Sequence, residues 1–192
     1  MRITKADVIH TAADIADKNG LSNVSLKAVA ESLNIRTPSL YNHIDSLEAL
    51  LREIAHNGMK TMNERMMQAA IGKIGDDAIQ SVGQAYLNYM IEHPGIYETI
   101  QWATWHGTEE TRKIFDNYLS LLKTLALSCN FNPINIDEIL NLLTGVLHGY
   151  TTLQLRYAFT KPAEVRIALS SALDTVLAGL HQKYDQHEKE HL

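Results

Sequence analysis

Apolar residues return every third or fourth position along most of this chain, and no stretch alternates convincingly enough to read as a strand. Ile9, Ala12, Ala13 and Ala16 form a stripe that predicts a first helix, opened by Thr4 with Asp7 at capping-box spacing and closed by Asn19-Gly20. Leu26, Val29, Ala30 and Leu33 predict a second, with Ser25 as its N-cap. Asn34 stands where a turn tolerates positive φ, and Thr37-Pro38 predicts a third helix of about two turns, with Thr37 as cap and proline at the first helical position. Its apolar side is Leu40 and Ile44, and its polar side is Ser39, Asn42 and His43 behind a leading Arg36. A helix this short is not stable alone, so its polar face must be held out by packing against its neighbours. That arrangement predicts a groove reader.

A fourth helix follows on Leu47, Leu50, Leu51, Ile54 and Ala55, with Asp45 and Glu48 at capping-box spacing, and it extends to about residue 70. Ile71-Gly72-Lys73-Ile74-Gly75 breaks the pattern, and Asp76-Asp77 open a fifth helix that runs to His93, where Pro94-Gly95 intervenes. A short helix carries Tyr97, Ile100 and Trp102, and Trp105-His106-Gly107 punctuates it. Helical spacing resumes at Glu109, NFNPIN at 130–135 is a loop, and two long helices, about 136–157 and 162–184, complete the chain. Both long helices carry more apolar surface than one core needs, which predicts a partner surface, and a second copy of the chain is the economical partner.

Composition narrows the class. With 192 residues, 45% of them hydrophobic, the chain can bury a sizeable core. No apolar run approaches the roughly 18 residues a membrane span needs. The amphipathic N-terminus is unlike a signal peptide, and a single Cys129 rules out an internal disulfide, so a cytoplasmic protein is expected. Residues 1–60 hold 7 Lys and Arg against 7 Asp and Glu, so the net charge of −5 comes from the rest of the chain. Affinity for DNA must then come from local placement of cations rather than from a basic footprint.

The first helix with its alanines, Gly20, Ser25-x3-Val29-Ala30, Ile35-x-Thr37-Pro38-Ser39-Leu40-Tyr41-x-His43 and then Glu48-x-Leu50-Leu51 together resemble the DNA-binding domain of TetR-type (TetR/AcrR) transcriptional regulators. The likeness covers roughly residues 5–55. Ile44 stands where the family usually has an aromatic residue, and Leu47 where it commonly has a lysine. HPGIY, WHG and His148-Gly149-Tyr150 resemble a TetR subgroup with a ligand-binding domain of the WHG type.

The resemblance implies an all-α protein: a three-helix DNA-binding helix-turn-helix domain at 1–45, a connecting helix at 46–70, an α-helical ligand-binding and dimerisation domain at 71–184, and a polar tail at 185–192. It implies a repressor that binds a pseudo-palindromic operator as a homodimer through the last two long helices and responds to a small, partly apolar effector. The residues expected at DNA are Lys27, Arg36, Thr37, Pro38, Ser39, Tyr41, Asn42 and His43, with Lys5 a further candidate for a phosphate. Those expected at the effector are Tyr86, Met90, Trp102, Trp105, His106 and His148. No cofactor or metal is expected, because the histidines and acids near His106 and in the tail lack a rigid ligand set. No phosphate loop, nucleophile elbow or catalytic carboxylate pair points to an enzyme. The competing readings are a DNA-bound regulator controlled by a protein partner, an α-helical small-molecule-binding protein without a DNA role, and a helical dimer that serves as a scaffold.

Overall fold

The computed structural model describes residues 3–159 and 161–184, so the polar tail expected at 185–192 lies outside the described residues. The fold is all-α. Among the described residues nine α-helices follow in order: α1 (Lys5–Asn19), α2 (Leu26–Ser32), α3 (Thr37–Leu40), α4 (Leu47–Ala70), α5 (Gly75–Glu92), α6 (Pro94–His106), α7 (Glu109–Ser128), α8 (Ile136–Leu155) and α9 (Val165–Tyr184). No helix among them is long and apolar enough to cross a membrane.

The chain divides into two compact units that do not follow chain order. The first comprises the residues up to Thr61 together with Glu92–Phe115, and the second Met62–Ile91 together with the chain from Asp116. The chain therefore passes from one unit to the other within α4, at the α5–α6 junction and within α7.

In the first unit, local chemistry sets the helix ends. Thr4 and Asp7 form the full capping box of α1, and Gly20 ends that helix at φ 86 and ψ 154, a backbone that only glycine adopts without strain. The Ser25 hydroxyl accepts from the Ala28 N–H at 3.1 Å, a cap worth about 1 kcal/mol. Asn34 takes φ 54 as the C′ residue of α2, while Asn34 N–H bonds to Glu31 C=O and Ile35 N–H to Ala30 C=O, the pair of bonds that defines a Schellman end. Two helix starts differ from the sequence expectation. Arg36, not Thr37, is the N-cap of α3, which places Pro38 one position further in. Proline is tolerated there because its missing N–H belongs to a first turn that has no acceptor for it. The helix itself is a single turn. The cap of α4 is Ser46, whose hydroxyl accepts from Ala49 N–H at 3.0 Å, rather than Asp45.

Val8, Ala12, Ala16, Val29, Ala30, Leu40, Ile44, Leu50 and Ile54 are buried in one core, with Ile96 and Trp102 of α6 packed at its edge. The second unit packs α5 against α8 and α9. A Cβ on Gly83 would stand 2.8 Å from a terminal methyl of Leu173 and 3.2 Å from one of Leu147, so these two leucines pack directly over the glycine. Gln80 Nε2 donates to Ser170 C=O and Asp174 Oδ1, and Gln84 Nε2 to Arg166 C=O, which fixes the register of α5 along α9.

Candidate functional site

α3 is a single turn, and it is held from beneath. Leu40 is fully buried and Ile44 nearly so, while Ile44 N–H bonds back to Leu40 C=O at 3.1 Å. Burial of a leucine of this kind contributes about 2 kcal/mol, enough to fix a turn that has no cooperative length of its own. Above that anchor, Arg36, Pro38, Tyr41 and Asn42 are exposed, and Thr37, Ser39 and His43 are half-buried. Tyr41 stands 58% exposed, an unusual position for an aromatic ring with nothing to cover it. Lys27, near the start of α2, is exposed and within 3.8 Å of Glu31. Lys5, the further phosphate candidate, forms an ion pair and hydrogen bond with Glu53, which raises its pKa. Seven expected residues thus lie on one short segment, with Lys27 on the preceding helix.

The residues expected at an effector fall in different units. Tyr86, Met90 and His148 lie in the second, and Trp102, Trp105 and His106 in the first. Trp102 and His106 stack with ring centroids 4.8 Å apart and planes 12° from parallel, and His106 Nδ1 donates to Trp102 C=O at 2.9 Å. Trp105 is 85% exposed. In the second unit the Tyr86 hydroxyl lies 3.2 Å from His148 Nδ1, with the rings edge to face at 5.5 Å. Tyr118 joins them at 6.1 Å from Tyr86, fully buried beside Thr144, and burial pushes its phenol up to about 12. Thr144, His148 and Thr151 repeat at i, i+4 and i+7 of α8, so their polar atoms share one face of that helix, with Thr151 buried and the other two half-buried. Tyr118 and the two threonines were not among the expected residues. The signal was the spacing of Thr144, His148 and Thr151 along one helical face.

Residues 79–176 match the family described as "Tetracyclin repressor-like, C-terminal domain". Over 179 residues, spanning 93% of each protein, the chain is 31% identical to the HTH-type transcriptional regulator YobS of Bacillus subtilis (strain 168). It belongs to the TetR family of transcriptional regulators. A shorter match, 30% identical over 96 residues, 50% of this chain and 44% of the other, joins it to the HTH-type regulator Rv0681 of Mycobacterium tuberculosis. Solved structures share the fold at low identity. A protein from Rhodococcus sp. RHA1 superposes with a TM-score of 0.82 at 16% identity, covering 94% of this chain and 96% of that one. A TetR variant from Acinetobacter baumannii AYE in complex with minocycline gives 0.72 at 18% identity, covering 96% and 100%.

Two histidines of this regulator are withdrawn from water, His56 buried and His148 half-buried. His56 of α4 bonds through Nε2 to the Thr111 hydroxyl at 2.8 Å, and its Nδ1 lies 3.9 Å from Glu110. Desolvation lowers its pKa in spite of the opposing pull of Glu110, and desolvation lowers that of His148 as well. A histidine whose folded pKa lies below its unfolded value of about 6.5 leaves stability intact above that pH. Stability is then lost as pH falls toward the folded value, because the unfolded chain takes up the proton first. The thermal midpoint is therefore expected to drop between pH 7.5 and pH 5.5, and His56→Gln with His148→Gln is expected to flatten that slope. An unchanged slope in the double variant would assign the acid sensitivity elsewhere.

Proposed function

We propose that the chain is a repressor that binds a pseudo-palindromic operator as a homodimer in the cytoplasm and releases it when a small, partly apolar effector binds the second unit. The observation that carries this reading is α3: one turn of helix, anchored by Leu40 and Ile44, that displays Arg36, Thr37, Pro38, Ser39, Tyr41, Asn42 and His43 where no folding requirement places them. Such a segment fits the major groove, where Arg, Asn and Tyr can meet base edges and Lys27 a phosphate. The dimer is supported by α8 and α9. Leu142 and Leu153 are each more than 40% exposed, Ile167 is 72% exposed, and a Cβ on Gly145, Gly149 or Gly179 would meet nothing within 4 Å among the described residues. A second copy laid on this face would cover apolar side chains and approach closely over the glycines.

The effector reading rests on the polar face of α8 with Tyr86, Tyr118 and Met90, a mostly apolar environment with a few groups able to orient a guest. The minocycline bound by the similar A. baumannii protein supports a small molecule of this general kind. Catalysis has no part in this reading.

Selection of bound sequences from random duplex DNA by the purified protein tests it. The expected result is a pseudo-palindrome with half-sites about one helical turn apart, roughly 34–36 Å for two recognition helices related by a dimer axis. Recovery of no preferred sequence at low salt overturns the proposal.

A further inference from the structure

Asp17 lies near the end of α1, and its carboxylate is largely covered and makes three bonds. Oδ1 accepts from Gly95 N–H at 2.8 Å and from Ile96 N–H at 3.0 Å, and Oδ2 accepts from His93 Nδ1 at 2.8 Å. The first N–H groups of a helix have no partner within it, so Asp17 is the N-terminal cap of α6, supplied by a different helix. The exchange runs the other way too. Glu98, one turn into α6, accepts through Oε2 from Leu21 N–H at 3.2 Å, just beyond the end of α1. Asp17 thus caps α6, and Glu98 ties the chain just after α1 back to α6.

The place of this joint in the chain gives it consequence. Two of the three passages between the units lie inside continuous helices. At the third, α5 ends at Glu92 and α6 begins at Pro94, so His93 alone connects them. Asp17 grips that residue and the two amides just after it. The α5–α6 junction is therefore one residue long, and within the first unit that residue and the start of α6 are bound by Asp17 of α1.

We infer that Asp17 is a positioning residue for operator binding: with Glu98 it forms a latch that makes α6 part of the reading unit, so that displacement of the α6 N-terminus lowers operator affinity. The inference rests on the reading of the chain as an operator-binding regulator and specifies how that site is regulated. Linkage makes it testable without the effector, because a coupling between α6 and the operator must act in both directions. Operator binding must therefore steady the latch.

The experiment uses the full chain and an operator duplex obtained by selection, with hydrogen exchange at Leu21, Gly95 and Ile96 as one readout and operator affinity as the other. Both tryptophans, Trp102 and Trp105, lie on α6, so intrinsic fluorescence follows the same helix. In the wild type, operator is expected to slow exchange at Gly95 and Ile96. Asp17→Ala is expected to speed exchange there in the free protein by about fivefold, the fold-change of a lost cap. It is also expected to weaken operator binding by about fivefold or more, the lower end of measured couplings between sites, and to abolish the operator-dependent slowing. Asp17→Asn keeps an acceptor for both amides and is expected to restore most of both effects. Should Asp17→Ala fail to fold, Glu98→Ala breaks the joint from the other side and is expected to move the same readouts in the same direction.

Faster exchange with wild-type operator affinity would make the cap merely structural and overturn the inference alone. Failure of the wild type to select any DNA would overturn the functional reading and the inference with it.

Discussion

The Arg36→Ala, Tyr41→Ala double variant is expected to stay folded and lose operator affinity by at least about thirtyfold, since each good base contact is worth about 1–3 kcal/mol and two are removed. The folded state has little reason to object. Arg36 is exposed and makes no side-chain cap bond at the start of α3, and Tyr41 is 58% exposed, so substitution at either falls in the range of about ±0.5 kcal/mol typical of surface sites. What holds the turn is Leu40, which the variant keeps. Fluorescence anisotropy with the selected duplex at fixed salt provides the measurement, alongside circular dichroism to confirm the fold. Lys27→Ala is the informative companion: a phosphate contact lowers affinity for all sequences alike and reduces the salt dependence, whereas loss of Arg36 and Tyr41 relaxes preference at particular base pairs. Residues 1–60 are electrically balanced, which makes this distinction sharper than in a strongly basic domain. Undiminished affinity in a folded double variant would remove α3 as the reader.

The parts of this architecture that sequence reveals are those specified by neighbours in the chain. The Thr4–Asp7 box, the Ser25 cap, the positive φ of Asn34 and the Leu40–Ile44 anchor are all formed among residues no more than a few positions apart. Even there, one-residue choices between competing caps went the other way: Ser46 prevailed over Asp45, and Arg36 over Thr37. Both alternatives are compatible with the same apolar stripe, so the stripe cannot choose between them. The grouping of residues 92–115 with the N-terminal helices is of another kind. It depends on Gly95 meeting the backbone of Ala16 and on Asp17 reaching amides 78 and 79 residues away, and neither leaves a periodic trace. For the same reason Trp102, Trp105 and His106, adjacent in pattern to the aromatics of α5, lie in a different unit from Tyr86, Met90 and His148. Tyr118 was hidden in plain sight, an aromatic on the apolar stripe of α7 whose hydroxyl faces a threonine on another helix.

Gly95→Ala is expected to be the most damaging single methyl in the first unit. A Cβ at this position would stand 2.0 Å from the Ala16 carbonyl carbon, 2.3 Å from its oxygen and 2.4 Å from Asp17 N. All three obstacles are backbone atoms of a helix, so no rotamer change relieves the overlap, and α6 must back away from α1. Retreat by the ångström or more that contact requires also stretches the bonds from Gly95 and Ile96 N–H to Asp17, which are only 2.8 and 3.0 Å long at rest. Overpacking of this kind costs about 1–3 kcal/mol and loss of a cap about 1 kcal/mol more, against a helix-propensity gain from glycine to alanine of about 1 kcal/mol, which is the smaller effect. A fall in the thermal midpoint of about 5–10 °C is the expected reading by calorimetry or circular dichroism. The variant also separates two roles of the joint. Asp17→Ala removes the cap and leaves the close approach intact, whereas Gly95→Ala forces the helices apart and takes the cap with it. Operator affinity that falls in both variants, while stability falls chiefly in the second, would assign stability to the approach and coupling to the cap. A wild-type midpoint for Gly95→Ala would mean that α6 does not rest on α1 this closely, and the latch would lose the geometry on which it depends.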